Sequence, residues 1–216
     1  MIKPKKRRKI SHLTSKSINV FNGPKSLDKI TYTESPLEAD FCYHLEFDDN
    51  VIKYQAQPLS IDYFFEGAPH SYTPDFEVFY NDGSICYFEV KYIADIGRID
   101  NFQQWEQAIR KASEKLGKGF IVIKEDFIRK EFHYENLQTL YAASDIEVDR
   151  EFLVYVNKKF EDQEYAAIID LMTDSSLSVE LEQIYRFVFD KLLVADLNCG
   201  FISKHTIVKR SVKYYG

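Results

Sequence analysis

Cysteine is scarce in this chain of 216 residues: Cys42, Cys86 and Cys199 are the only three, and they are far apart. So few thiols exclude a disulfide framework, and the lack of close Cys or His pairing excludes a zinc ribbon. A reducing compartment is the expected setting. Apolar runs of membrane-spanning length are also missing, and the charged N-terminal stretch lacks the apolar segment of a secretory signal. A soluble, cytoplasmic protein with no membrane partner is therefore expected. There is no internal repeat and only one Trp. Phe (17) and Tyr (15) are abundant instead, in a composition that is 45% hydrophobic. This suits an ordered, strand-rich core and argues against a disordered regulator. The length allows one well-formed core with a small appendage, so two domains are expected.

Positive charge is in deficit overall, with a formal net charge of -6. The deficit is unevenly spread. Residues 1–30 hold nine Lys or Arg against one acid, residues 200–216 hold four against none, and the body between holds fifteen against thirty-three. Basic ends can engage phosphates locally, while carboxylates in an acidic body serve metal binding, folding or protein partners. The run Lys3 to Lys9 has no hydrophobic period and reads as a mobile arm. It reads as a solvated tail or as a phosphate-binding arm through Lys5, Lys6, Arg7, Arg8 and Lys9, and it also resembles a nuclear-localisation run, a weak signal in so short a cluster.

The first clear element begins at Ser35, where Ser-Pro-Leu-Glu supplies an N-cap, a proline at the first helical position and a glutamate at N3. The helix should run to about Phe47, with Leu37, Phe41 and Leu45 facing the core and Glu38 beside that stripe. Extended segments follow near 51–55, 59–65 and 71–80, separated by Gln57-Pro58 and by the turn at 66–69, and they are expected to form a meander. The turn Asn81-Asp82-Gly83 leads into 84–92. A three-residue loop with Gly83 in the left-handed position sets Tyr80 opposite Ser84 and Asp75 opposite Glu89. Phe76, Val78, Cys86, Phe88 and Val90 then share one face, and Asp75, Glu89 and Lys91 the other. A two-residue loop would scatter the apolar set over both faces, so the apolar pattern selects the first register. Phe102, Trp105, Ile109, Ala112 and Leu116 mark a helix, and 119–124 a buried strand reached by a crossover. A helix over about 135–143 closes the first domain. The remainder holds an apolar helix with Leu181, Ile184, Tyr185, Val188, Phe189 and Leu192, then a segment from Phe201 to Val212 that reads as two strands. A small, mainly helical, winged-helix-like unit is one arrangement of these parts.

Phosphodiester hydrolysis at neutral pH needs a cation to offset charge, an activated water and stabilisation of the leaving oxygen. Asp75, Glu89 and Glu38, with the Val90 carbonyl, offer the oxygen ligands that Mg²⁺ prefers, and Mn²⁺ should substitute. Lys91 projects from the same face as Glu89 and can orient the water or stabilise developing charge. Glu89-Val90-Lys91 is the only acid-x-Lys triplet in the chain. Each residue also has a plain structural reading. Glu38 fits a capping box with Ser35, Asp75 can simply start a strand after Pro74, and Glu89 with Lys91 can be an exposed ion pair of little energetic weight. Gln57 either touches DNA or the water shell, or only forms the turn before Pro58. Trp105 is most simply core.

Several fragments in order carry a family resemblance: Lys25-Ser26, Glu34 to Asp40, Leu45 to Asp48, Gln57-Pro58, Tyr72-Thr73-Pro74-Asp75-Phe76 and Glu89-Val90-Lys91. Together they resemble the TnsA family, the endonuclease subunits of heteromeric Tn7-like transposases, over roughly residues 20–143. The resemblance implies a PD-(D/E)XK nuclease: an α/β, restriction-endonuclease-like mixed sheet flanked by helices, with Glu38, Asp75, Glu89 and Lys91 as the catalytic positions. It also implies Mg²⁺-dependent cleavage at the 5′ ends of a transposon in double-stranded DNA, beside a DDE-type transposase subunit and under an AAA+ ATPase regulator. The expected layout is a flexible basic arm over 1–20, the catalytic domain over 21–145 and a small C-terminal partner or DNA-contact domain over 146–216. Two other readings stay open: a stand-alone nuclease for restriction, repair or junction resolution, and a non-catalytic DNA-binding or assembly subunit.

Overall fold

The structure, a computed structural model, describes residues 18–212. The basic arm residues Lys5, Lys6, Arg7, Arg8 and Lys9 lie outside the described residues. The chain divides into two compact units between Arg129 and Lys130.

The first unit opens with a hairpin of β1 (Asn19–Asn22) and β2 (Ile30–Thr33), followed by α1 (Pro36–Phe47). Ser35 caps α1 in extended conformation, its hydroxyl accepting from the Glu38 N–H at 3.2 Å, and Pro36 occupies the first turn where its missing N–H costs nothing. The other end is closed from a distance. The Lys25 ammonium donates to the carbonyls of Leu45 (3.3 Å) and Asp48 (2.7 Å), a cation satisfying carbonyls that the helix leaves unpaired.

A four-stranded mixed sheet follows, in the order β3 (Val51–Ala56), β6 (Phe76–Tyr80), β7 (Ile85–Lys91), β8 (Gly119–Lys124). The β6–β7 hairpin has the expected register, with Phe76 opposite Phe88 and Val78 opposite Cys86. Gly83 takes φ +83°, its N–H donates to Tyr80 O at 3.1 Å, and Tyr80 N–H donates to Ser84 O at 3.0 Å, closing the three-residue loop. The apolar face receives α1: the Phe41 ring meets Phe76 at 5.6 Å and Phe88 at 5.3 Å. Phe76 is fully buried between Phe41 and Tyr54. Phe76→Ala should cost about 3–5 kcal/mol, the usual range for deleting a buried phenyl ring, read from urea unfolding. A loss below about 1 kcal/mol would mean that this ring is not part of a close-packed core.

The three extended segments between Val51 and Tyr80 do not form a meander. β3 pairs directly with β6, while β4 (Ile61–Phe65) and β5 (Ala68–Tyr72) make a separate two-stranded hairpin inserted between them. The break falls at Thr73-Pro74, because Pro74 has no N–H for a ladder and ends β5 before β6 begins. This hairpin helps to cover the sheet face opposite α1. Ile61, Tyr87, Ile109 and Phe120 are buried together there, with Tyr63, Tyr72, Trp105 and Val122 packed around them. After the short α2 (Ile93–Ile96), α3 (Phe102–Glu114) crosses this face and returns the chain to β8, which runs parallel to β7 with Glu89 beside Val122 and Lys91 beside Lys124. A Cβ on Gly119 would lie 2.9 Å from the Cys86 sulfur, which explains glycine at that position. The turn α4 (Glu125–Ile128) ends the unit.

The second unit contains α5 (His133–Ala142), α6 (Arg150–Lys158), β9 (Tyr165–Ala167), α7 (Ile168–Leu171), α8 (Ser178–Phe189), β10 (Leu193–Ala195) and β11 (Ile207–Arg210). Its three short antiparallel strands take the order β10-β11-β9. From α6 onward the succession helix, strand, two helices, two strands has the winged-helix order. The sequence reading differs in two details. Only one strand lies between Phe201 and Val212, and its hairpin partner, β10, precedes that segment. The α5 helix, assigned above to the end of the first domain, packs with the second unit. Its buried Asn136 donates to the carbonyls of Leu197 (2.9 Å) and Gly200 (2.7 Å) and accepts from the Ile202 N–H at 2.7 Å, so one amide side chain holds the loop before β11.

Candidate functional site

The carboxyl-terminal end of β7 carries the candidate site, and the hairpin loop determines what meets there. Regular β6–β7 pairing ends at Phe76 opposite Phe88. The next position on β7 that would seek a partner carbonyl is Val90, which lies across from Pro74. Asp75 intervenes: its Oδ2 accepts the Val90 N–H at 2.8 Å, while its own N–H donates to Phe88 O at 3.0 Å. The carboxylate thus finishes the ladder in place of backbone and is fixed beside Glu89. Because a strand residue's N–H and C=O point to the same edge, the Val90 carbonyl is directed toward the Asp75 side and away from β8.

Gln57 supports Asp75 from the other flank. It sits in the left-handed region at φ +46°, its N–H donates to Asp75 O at 2.8 Å and its side-chain amide reaches Asp75 Oδ1 at 3.5 Å. Gln57 thus turns the chain before Pro58 and at the same time hydrogen-bonds Asp75. Glu89 is almost wholly buried, 4% exposed. Its Oε1 accepts from the Lys91 ammonium and its Oε2 from the Tyr72 hydroxyl. The Lys91 side chain remains 24% exposed, so the ion pair is not the free surface pair that the plain reading allowed.

Glu38 enters from α1 and is 6% exposed. Its two oxygens accept from the Glu34 N–H and from the Ser35 hydroxyl, both at 2.9 Å, so the capping role is real. It also lies within electrostatic reach of Glu89 and Asp75. Burial pushes the Glu38 carboxyl up from its ordinary range, partly opposed by those two hydrogen bonds. Asp75 is raised well above its usual value, first by loss of hydration and then by the charges of Glu89 and Glu38; the Val90 N–H and Lys91 only partly offset this. Burial works against the Lys91 ammonium, but Glu89, Asp75 and Glu38 outweigh it and the lysine is held above its ordinary value. Three carboxyl groups therefore share one ammonium in a poorly hydrated place.

Such a donor set fits a hard divalent cation, which relieves like-charge crowding and prefers carboxylate oxygen. Among the described residues no cluster of three or more His, Cys, Asp or Glu side chains is arranged to hold an ion. That agrees with Glu38 being engaged at its cap, and Mg²⁺ needs only one or two carboxylates because it keeps much of its water. His44 Nε2–H donates to Ile128 O at 2.8 Å and is structural.

Tyr72 was absent from the sequence-derived site. Its signal was present in the run Tyr-Thr-Pro-Asp, but only the insertion of β4–β5 brings the phenol over Glu89. Trp105 is confirmed as a packing residue, meeting Tyr72 at 5.3 Å and Phe120 at 6.3 Å.

Residues 48–125 match a family model described as the TnsA-like endonuclease N-terminal domain. The match takes in Gln57, Asp75, Glu89, Val90 and Lys91 and stops short of Glu38. No curated protein matches the chain. No described helix is long and apolar enough to cross a membrane.

Proposed function

We propose, from the match of residues 48–125 to the TnsA-like endonuclease N-terminal domain, that the chain is a Mg²⁺-dependent DNA endonuclease that cuts the 5′ ends of a transposon within a heteromeric transposase. One observation carries this reading. Inside the matched span, Asp75 at the open end of the β6–β7 hairpin lies within electrostatic reach of Glu89 and Lys91, a set of two acids and an ammonium suited to phosphodiester chemistry. Asp75 and Glu89, with the Val90 carbonyl, would hold the ion. Glu38 adds negative charge, and adds a ligand only by leaving its cap. When bound, Mg²⁺ supplies Lewis-acid stabilisation of charge on the phosphate. Lys91 contributes a fixed ammonium for the charge that develops on the reacting phosphate, or for orienting the attacking water. Mn²⁺ should replace Mg²⁺.

Double-stranded transposon ends are the proposed substrate, with a DDE-type transposase and an AAA+ ATPase as partners. Cleavage of an end-containing duplex, with and without a DDE partner, tests this. Cutting that requires the partner supports the transposase reading, and equal cutting by the chain alone favours a stand-alone nuclease.

The arm contributes affinity. Each phosphate contact made by Lys5, Lys6, Arg7, Arg8 or Lys9 should add about 0.9 to the slope of log affinity against log salt. Deleting residues 1–9 should therefore weaken binding most at low salt and flatten that slope. An unchanged slope assigns the arm no phosphate contact.

A further inference from the structure

Glu89 is the most enclosed carboxylate of the site, and one side chain outside the acid and lysine set fixes it. The Tyr72 hydroxyl donates to Glu89 Oε2 while Lys91 holds Oε1, so both oxygens are spoken for and the carboxylate plane is set. The phenol is itself immobilised. Its ring stands edge-on to Trp105 at 5.3 Å (87°) and to Phe120 at 6.3 Å (82°), and β4 pairs Ile61 with Tyr72 from the other side.

We propose that Tyr72 is the positioning residue for Glu89: the inserted β4–β5 hairpin exists at this place in the fold partly to hold a phenol donor over the carboxylate that binds the divalent ion. This rests on the metal-dependent reading above. A carboxylate ligand free to rotate must be ordered when it takes up an ion, and that ordering cost lowers affinity. A donor on its far oxygen orders it beforehand and leaves the oxygen's remaining lone pair, with Asp75, to face the ion. Outer hydrogen-bond partners of metal ligands commonly account for about 10–100-fold in affinity or activity.

The test uses the full chain, without DNA, and Mn²⁺ as the probe. Tyr72→Phe keeps the ring against Trp105 and Phe120 and removes only the donor, whereas Trp105→Phe disturbs the packing around the ring and keeps the donor. Mn²⁺ affinity is measured by electron paramagnetic resonance. The carboxyl ¹³C resonance of Glu89 is followed in the metal-free chain and assigned by its loss in Glu89→Gln. Tyr72→Phe should weaken Mn²⁺ binding by about 10–100-fold and displace the Glu89 resonance, and Trp105→Phe should do neither. Wild-type affinity in Tyr72→Phe overturns the proposal, as does equal weakening by Trp105→Phe, which would reduce Tyr72 to packing. Failure of the wild-type chain to bind Mn²⁺ at all is a separate outcome: it overturns the metal-dependent reading itself and takes this inference with it.

Discussion

Asp75→Asn should reduce DNA cleavage by more than about a hundredfold, beyond the range typical for the outer partners of a metal site, without unfolding the chain. The amide has the same shape, and its oxygen can still accept the Val90 N–H that Asp75 now takes at 2.8 Å. The end of the hairpin therefore survives. What disappears is one of the two carboxylates proposed to hold the ion. Stability should hold or rise slightly, because burial and the charges of Glu89 and Glu38 already oppose ionisation of Asp75. Replacing a strained charge by a neutral amide relieves that opposition. The measurement pairs Mg²⁺-dependent cleavage of an end-containing duplex with thermal unfolding of the same preparation. Cleavage at the wild-type rate would remove Asp75 from the chemistry, and a collapsed melting temperature would make it chiefly a structural cap. Asp75→Ala should lose cleavage equally but also strand the Val90 N–H, so the difference in melting between Asn and Ala reports what the side-chain contacts to Val90 and Gln57 contribute.

The parts of this site that local physics governs were legible in the sequence. Gly83 in a three-residue loop dictates the β6–β7 register, and the apolar residues Phe76, Val78, Cys86 and Phe88 would be split across both faces by a two-residue loop. Ser35, Pro36 and Glu38 announce the start of α1 through groups no more than a turn apart. The failures are all matters of long-range pairing. Nothing in the segment 59–72 says that the β4–β5 hairpin leaves the main sheet; a strand's alternation is the same whichever neighbour it takes. Pro74 was the available hint, since a residue without an N–H breaks a ladder, and reading 71–80 as one strand ignored it. The consequence was specific: treated as part of a continuous strand with Asp75, Tyr72 had no reason to reach Glu89. The place of α5 was hidden for a similar cause. Its attachment to the second unit depends on Asn136 meeting Leu197, Gly200 and Ile202, more than sixty residues away in sequence. The double identity of Glu38 is a different kind of case. The capping box and the acidic site were weighed as alternatives, and the structure shows a carboxylate that satisfies the cap while its charge acts on the other two.

Lys91 should separate rate from metal affinity more sharply than any other position. Its ammonium is paired with Glu89 and stands within electrostatic reach of Asp75 and Glu38. A cation placed among the acids competes with a divalent ion for the same negative potential. Lys91→Ala removes that competition, so Mn²⁺ affinity should stay level or increase. The single-turnover cleavage rate at saturating Mg²⁺ should nevertheless fall by about 10²–10³-fold, the usual effect of deleting one preorganised contact to charge that develops in the transition state. Glu89 keeps the Tyr72 donor in this variant, so the carboxylate is not left without a partner. Lys91→Arg restores a positive charge but should not restore the rate. A wide, planar guanidinium locks onto the Glu89 carboxylate through two parallel hydrogen bonds and cannot take the position of a compact ammonium. The two measurements together decide the role. Lost Mn²⁺ affinity in Lys91→Ala would show that the lysine organises the acids. Near wild-type cleavage in Lys91→Ala would contradict its participation in the chemistry. A slow enzyme that binds its ion as well as or better than wild type is the result expected of a group that acts on the phosphate and not on the metal.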